Sequence, residues 1–169
     1  ATCKSDIANS TVTELTNSQY KFSISFDEQS TFTPSGSINS CISATMNLID
    51  GSDNVAMRHN MLLNGKATNG SGGTIHWNNE SCAVKITDGV DNIPLLGLFH
   101  ELSHGIDANN GIWDNTKFDG LGMTDWTACS KTNQVRKDLG YPMQTMYGGE
   151  FIYWDGKYSY QGGGIKLFK

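Results

Sequence analysis

Three residues near the middle of the chain have the types and spacing that zinc chemistry requires: His100, Glu101 and His104. On a helix the two histidines lie one turn apart on one face, so both imidazoles can reach the same tetrahedral ion. Zinc lowers the pKa of a bound water to about 7, and a neighbouring carboxylate can remove its proton. The spacing therefore predicts a single Zn²⁺ site with Glu101 as the catalytic base.

The segment around these residues has the pattern of an amphipathic helix. Polar residues and Pro94 suit its first turn, and 109–111, Asn-Asn-Gly, should end it. The apolar residues at helical spacing, predicted to form its buried stripe, are Leu95, Leu98, Phe99, Leu102 and Ile106. Because the histidines stand inside a well-formed helix pattern, the alternative of two surface histidines beside a solvated glutamate is disfavoured.

A catalytic zinc usually takes three protein ligands and keeps one position for water, so one ligand must come from outside residues 100–104. Asp125 is favoured, because it begins a second predicted helix whose inward face is otherwise made of small residues such as Ala128, Cys129 and Thr132. Thr124 is the predicted N-cap of this helix, which runs through Leu139 and stops at Gly140. Cys129, one turn after Asp125, is interpreted as half of a disulfide or a small buried residue. The carboxylates considered are Asp107, Asp114, Asp119 and Asp125.

The other elements predict an α+β domain. Alternating apolar residues over 20–26 indicate a half-buried strand, and 74–77 another. Helical spacing over 38–51 predicts a helix that covers one sheet face. Residues 55–63 are strand-like and lead to an Asn-Gly turn at 64–65.

The ends of the chain are less regular. Residues 1–18 lack periodicity and predict a loose arm, while 149–169 should form a C-terminal hairpin. With 169 residues, the whole chain, 1–169, is expected to be a single domain.

Composition limits the partners. The net charge is -5 with only 12 Lys and Arg, so nucleic acid is not an expected partner. No apolar run is long enough to span a bilayer. The four dispersed cysteines predict two disulfides and a secreted protein, with three pairings open: Cys3, Cys41, Cys82 and Cys129.

Several stretches together resemble a family of small zinc metallopeptidases found as bacterial type III secretion effectors and toxin C-terminal domains. They appear in the family's order and cover about 38–148. They are Gly70-Ser71-Gly72-Gly73-Thr74-Ile75-His76-Trp77-Asn78, Leu98-Phe99-His100-Glu101-Leu102-Ser103-His104, Asp125-Trp126-Thr127-Ala128, Asn133-Gln134-Val135-Arg136, Leu139-Gly140-Tyr141-Pro142 and Tyr147.

The resemblance implies a compact zincin-like domain: a small twisted sheet over the active-site helix, with a second helix carrying the third zinc ligand. The family takes that ligand from a Glu three residues before an Ala, and Asp125 holds this place relative to Ala128. Aspartate-ligated zincins commonly carry a Gly-Thr-x-Asp sequence, which 111–114 resembles faintly, so Asp114 is the alternative ligand.

The implied activity is that of a monomeric, secreted effector or toxin that hydrolyses internal peptide bonds of a protein or peptide substrate. A substrate strand is expected along a sheet edge at 75–77. Tyr147 could donate a hydrogen bond to the oxyanion, with packing in the core as the alternative. Two other functions remain open: a zinc amidase or other hydrolase of a non-protein substrate, and a disulfide-stabilised binding module with a non-catalytic zinc.

Overall fold

The computed structural model describes residues 4–35, 70–80, 85–87, 90–114, 117–118, 121–147 and 150–151. Within them it has a mixed α+β architecture with three helices and a small three-stranded sheet. The helices are α1 (Asp6–Thr16), α2 (Pro94–Asn109) and α3 (Met123–Leu139). The strands are β1 (Phe22–Phe26), β2 (Thr31–Pro34), β3 (Gly73–Trp77), β4 (Lys85–Thr87), β5 (Val90–Asp91), β6 (Lys117–Phe118), β7 (Leu121–Gly122), β8 (Met146–Tyr147) and β9 (Glu150–Phe151).

Several sequence predictions lie outside the described residues. They concern the helix at 38–51, the strand at 55–63, the turn at 64–65, the C-terminal hairpin beyond 151 and Asp119. Cys3, Cys41 and Cys82 lie outside them as well. In the part of the chain that the structure describes, no helix is both long and apolar enough to cross a membrane.

Strand β3 lies in the centre of the sheet, parallel to β1 and antiparallel to β2. The prediction that 75–77 form a free edge is therefore wrong, because neighbours occupy both sides of β3. The strand predictions at 20–26 and 74–77 are confirmed by β1 and β3, whereas β2 was not predicted. The half-buried pattern predicted for 20–26 is wrong, because Ile24 and Phe26 are 53% and 72% exposed. Ile75 is almost fully buried between the sheet and α2.

Two glycines of the Gly-Ser-Gly-Gly run let other groups approach the start of β3. A Cβ at Gly70 would overlap the backbone carbonyl of Asn109, and one at Gly73 would overlap the ring of Phe32. The backbone N–H of Ser71 also donates to the carbonyl oxygen of Ala108, at 2.9 Å. The run therefore fastens the sheet to the C-terminal end of α2.

Helix α2 is the central element and packs against α1, the sheet and α3. Both predicted ends are confirmed, with Pro94 in the first turn and Gly111 just beyond the end at φ 65°. The predicted stripe is only partly correct: Phe99 and Ile106 are buried, but Leu95 is 56% exposed and Leu96 is buried in its place. Because α2 has neighbours on three sides, its buried surface is wider than one stripe.

Residues 6–16 form helix α1, so the prediction of a loose arm over 1–18 is wrong for them. The Ser5 hydroxyl caps the helix by accepting from the N–H of Ala8, and it donates to Asp138 of α3 at 2.6 Å. Leu15 packs against α2 at Gly105. The helix is mostly polar and is held by these tertiary contacts, which explains its weak sequence signal.

Helix α3 ends at Gly140, which adopts φ 75°, as the sequence predicts. It begins at Met123, one residue before the predicted N-cap Thr124. Ala128, Cys129 and Thr132 are fully buried on the predicted inward face. These small residues let α3 lie close against α2. Lys131 of α3 also contacts Asp107 of α2 at 3.0 Å, which fixes the position of one helix along the other.

Candidate metal centre

His100 and His104 of α2 and Asp125 of α3 meet at the contact between the two helices. The Nε2 atoms of the histidines are 3.2 Å apart. Oδ1 of Asp125 lies 3.6 Å from Nε2 of His100 and 3.4 Å from Nε2 of His104. Three ligand atoms therefore form a nearly equilateral triangle.

The size of this triangle suits zinc. Bonds of about 2.0–2.1 Å at tetrahedral angles place neighbouring ligand atoms about 3.3–3.4 Å apart. The observed edges of 3.2, 3.4 and 3.6 Å bracket that value. Two imidazole nitrogens and one carboxylate oxygen are also ligands that zinc accepts. The three side chains could therefore hold one metal ion of the size of Zn²⁺.

Among the described histidines, cysteines and acidic residues, these three are the group that could hold a metal ion. Asp114 is buried but is not part of the group, and Asp107 is paired with Lys131. Asp125 reaches the histidines despite its short side chain because it lies in the first turn of α3, directly against α2.

The charges of the triangle favour cation binding. Burial lowers the pKa of His100, but contacts with Asp125, and to a smaller extent with Cys129 and Glu101, outweigh this and raise it well above its ordinary value. Burial raises the pKa of Asp125, but contacts with both histidines outweigh it and lower this pKa strongly. Without metal, the carboxylate is therefore ionised and the proton is held on the imidazole.

The proton on His100 should make zinc affinity depend on pH. Zinc needs an unprotonated Nε2, so it must displace the proton from His100. As pH falls through the raised pKa of His100, the apparent affinity should fall by about tenfold per pH unit, starting at a higher pH than for an ordinary imidazole. Competition with a fluorescent zinc chelator across a pH series measures this.

His76→Ala is the control for that measurement. His76 lies on β3, and its Nδ1 is 3.1 Å from Asp27, away from the triangle. The variant should give the wild-type pH profile. An affinity in the wild-type protein that stays constant down to about pH 6 would contradict the assignment of the proton to His100.

Glu101 follows His100 directly on α2 and is only 7% exposed. No group in the described part of the chain hydrogen bonds to its carboxylate, and this carboxylate contributes to the raised pKa of His100. A carboxylate that is close to the ligands and not engaged elsewhere is suited to take a proton from water.

Tyr147 belongs to β8, which pairs with β9 in an antiparallel hairpin. Asn133 anchors the preceding segment: its amide donates to the Gln144 carbonyl at 3.0 Å, and the Gln144 N–H donates back at 2.7 Å. Arg136 donates to the carbonyl of Pro142 at 3.4 Å. The Asn-x-x-Arg segment therefore fixes the chain that leads to Tyr147. The side chain of Tyr147 is not described, so its role stays a prediction.

Two residues next to the histidines were not predicted to act there. The Cys129 thiol is free and buried, with Sγ 4.0 Å from Nδ1 of His100. The prediction that all four cysteines form disulfides is therefore wrong, whereas the alternative interpretation of Cys129 as a small buried residue is confirmed. Burial raises its pKa. The ring of Trp113 lies 5.5 Å from that of His104. For Cys129 the sequence held a signal, its spacing one turn after Asp125; for Trp113 it held none.

Comparisons of the chain with protein-family models, with curated proteins and with solved structures found no match.

Proposed function

We propose that this chain is a zinc-dependent endopeptidase with a zincin-like domain, in which His100, His104 and Asp125 hold one Zn²⁺. The observation that carries the proposal is the triangle of ligand atoms, whose edges of 3.2, 3.4 and 3.6 Å suit tetrahedral zinc. A free carboxylate next to this triangle, that of Glu101, supports a catalytic rather than a structural site.

Each residue has a defined task in this proposal. A zinc ion bound by these ligands would act as a Lewis acid, which polarises a carbonyl and makes water a nucleophile near pH 7. Glu101 takes the proton from the attacking water and later passes it to the amine that leaves when the peptide bond breaks. Tyr147 is retained as a proposed hydrogen-bond donor to the oxyanion.

Two features bear on the alternative of a binding module with a structural zinc. Structural zinc sites usually have four protein ligands, whereas three converge among the residues that the structure describes. The free thiol of Cys129 also removes part of the predicted disulfide framework. Both favour the catalytic proposal. A non-protein substrate is not favoured by any specific observation.

The remaining parts of the proposal rest on the sequence resemblance. They are secretion, a role as an effector or toxin, and action as a monomer on a protein or peptide substrate. The target and the cleaved bond are left open.

Metal removal tests the proposal. Elemental analysis of protein purified without added metal should find about one zinc per chain, since the described residues form one group of ligands. Chelation should abolish cleavage of a denatured protein mixture, and stoichiometric zinc should restore it. Removal should also lower the melting temperature, because the ion binds only the folded triangle.

The control is protein that is buffer-exchanged in the same way but is not treated with the chelator. A wild-type protein without zinc, or with undiminished hydrolysis after complete removal, would disprove the proposal. Bound zinc with no hydrolysis of any protein or peptide would instead favour one of the two alternatives, a hydrolase of a non-protein substrate or a binding module with a non-catalytic zinc.

A further inference from the structure

The two histidines of the centre have different surroundings at their Nδ1 atoms. Zinc-binding histidines almost always donate the second ring N–H to a carboxylate, a backbone carbonyl or a water, and that bond fixes the ring. In this chain, Nδ1 of His100 faces the sulfur of Cys129. Nδ1 of His104 is buried, and no group of the described residues hydrogen bonds to it.

We propose that Cys129 and Trp113 are the positioning residues of the centre: Cys129 orients His100 through a hydrogen bond to its thiol, and Trp113 orients His104 by ring packing. This inference rests on the proposed zinc site. It goes beyond that proposal because neither residue is a ligand or a proposed catalytic group.

The imidazole of His100 is held at both nitrogens by one face of α3. Asp125 Oδ1 lies 3.6 Å from Nε2, and Cys129 Sγ lies 4.0 Å from Nδ1. The two side chains are four residues apart, so they stand one above the other on the helix. With Nε2 directed to the metal, Nδ1 carries the proton and its N–H donates to the sulfur. A flipped ring would lose both contacts.

His104 is held by a series of aromatic rings in contact with one another, the first of which lies on the sheet. The ring of Phe32 on β2 lies over Gly73, where the absence of a Cβ makes room for it. The rings of Phe32 and Trp113 are 5.5 Å apart, and those of Trp113 and His104 are also 5.5 Å apart. Such aromatic contacts restrict ring rotation without a hydrogen bond. The sheet thus fixes the second imidazole through Phe32 and Trp113.

Zinc affinity and the nitrogen-bound protons of the histidines test the inference. Cys129→Ala and Cys129→Val both remove the acceptor, one leaving a small cavity and the other filling it. Each should weaken zinc binding about tenfold and shift the Nδ1–H resonance of zinc-loaded His100 in ¹H–¹⁵N spectra. Cys129→Ser keeps an acceptor and should stay within about threefold of wild type. If the alanine variant does not fold, the valine variant carries the test.

Trp113→Ala should likewise weaken zinc binding about tenfold, while Trp113→Phe, which keeps a ring, should not. Thr132→Val is the matched control on α3: Thr132 is as buried as Cys129, but its hydroxyl donates to the carbonyl of Ala128 and not to the centre. It should leave both the affinity and the His100 resonance unchanged.

The outcomes separate this inference from the proposed function. If the wild-type chain binds zinc and both Cys129→Val and Trp113→Ala bind it with the same affinity, the inference is overturned but the proposed function is not. A loss no larger than in Thr132→Val would overturn it too. A wild-type chain that binds no zinc would overturn the proposed function, and the inference with it. Zinc binding with the expected losses but without peptide hydrolysis would support the inference and count against the peptidase.

Discussion

Glu101→Gln is expected to retain about one zinc per chain and to lower peptide hydrolysis by about 10²- to 10⁴-fold. The glutamine amide has nearly the same shape as the carboxylate but cannot accept the proton of the attacking water. Glu101 is not part of the ligand triangle, so the site keeps its three ligands. Its negative charge also helps to raise the pKa of His100, so its loss makes the proton easier to displace and does not weaken zinc binding on that account.

The measurement pairs elemental analysis with initial rates on a denatured protein mixture. Glu28→Gln is the matched control, since Glu28 is an exposed glutamate on the turn between β1 and β2. It should retain both zinc and activity. Full hydrolysis by Glu101→Gln would disprove the assignment of this residue as the base, and loss of zinc in the variant would mean that Glu101 supports the metal and not the proton transfer.

Asp125→Asn should weaken zinc binding by more than about 100-fold. Replacement of a residue that only hydrogen bonds to a metal ligand typically lowers metal affinity by about 10- to 100-fold, and this change neutralises a ligand itself. It also removes the negative charge that faces both imidazoles at 3.4–3.6 Å. Hydrolysis should fall with zinc occupancy and recover only partly at high zinc.

Asp114→Asn is the matched variant, because it neutralises the aspartate that the sequence offers as the alternative third ligand. Asp114 is buried but outside the ligand triangle, so zinc should remain bound at wild-type affinity. Thermal unfolding of both variants shows whether either change acts through stability. Zinc retained in Asp125→Asn and lost in Asp114→Asn would transfer the third ligand to Asp114.

Both helices that carry the centre could be predicted from the sequence. Their signals are local: Pro94 at one start, Gly111 and Gly140 beyond the ends, and apolar or small residues at helical spacing. The i and i+4 spacing of His100 and His104 is likewise a property of the helix itself. Local helix geometry was therefore enough to predict that the two imidazoles share one face, with the glutamate beside them.

The errors arose where long-range contacts decide the structure. Helix α1 is mostly polar and depends on Ser5 meeting Asp138 and on Leu15 meeting Gly105. Strand β3 is central because β1 and β2 pair on its two sides, although β2 lies far from β3 along the chain. Periodicity within a segment contains no information about either contact.

By itself, the sequence determined the chemistry that this chain can present: two imidazoles and a carboxylate on one helix, and a second helix with an aspartate in its first turn. Only the tertiary structure placed Asp125 Oδ1 within 3.6 Å of both Nε2 atoms, because small buried residues on α3 let the helices approach closely. It also gave Cys129 and Trp113 their neighbours. Contacts between residues on different elements depend on packing, and packing is not encoded in the spacing of any one motif.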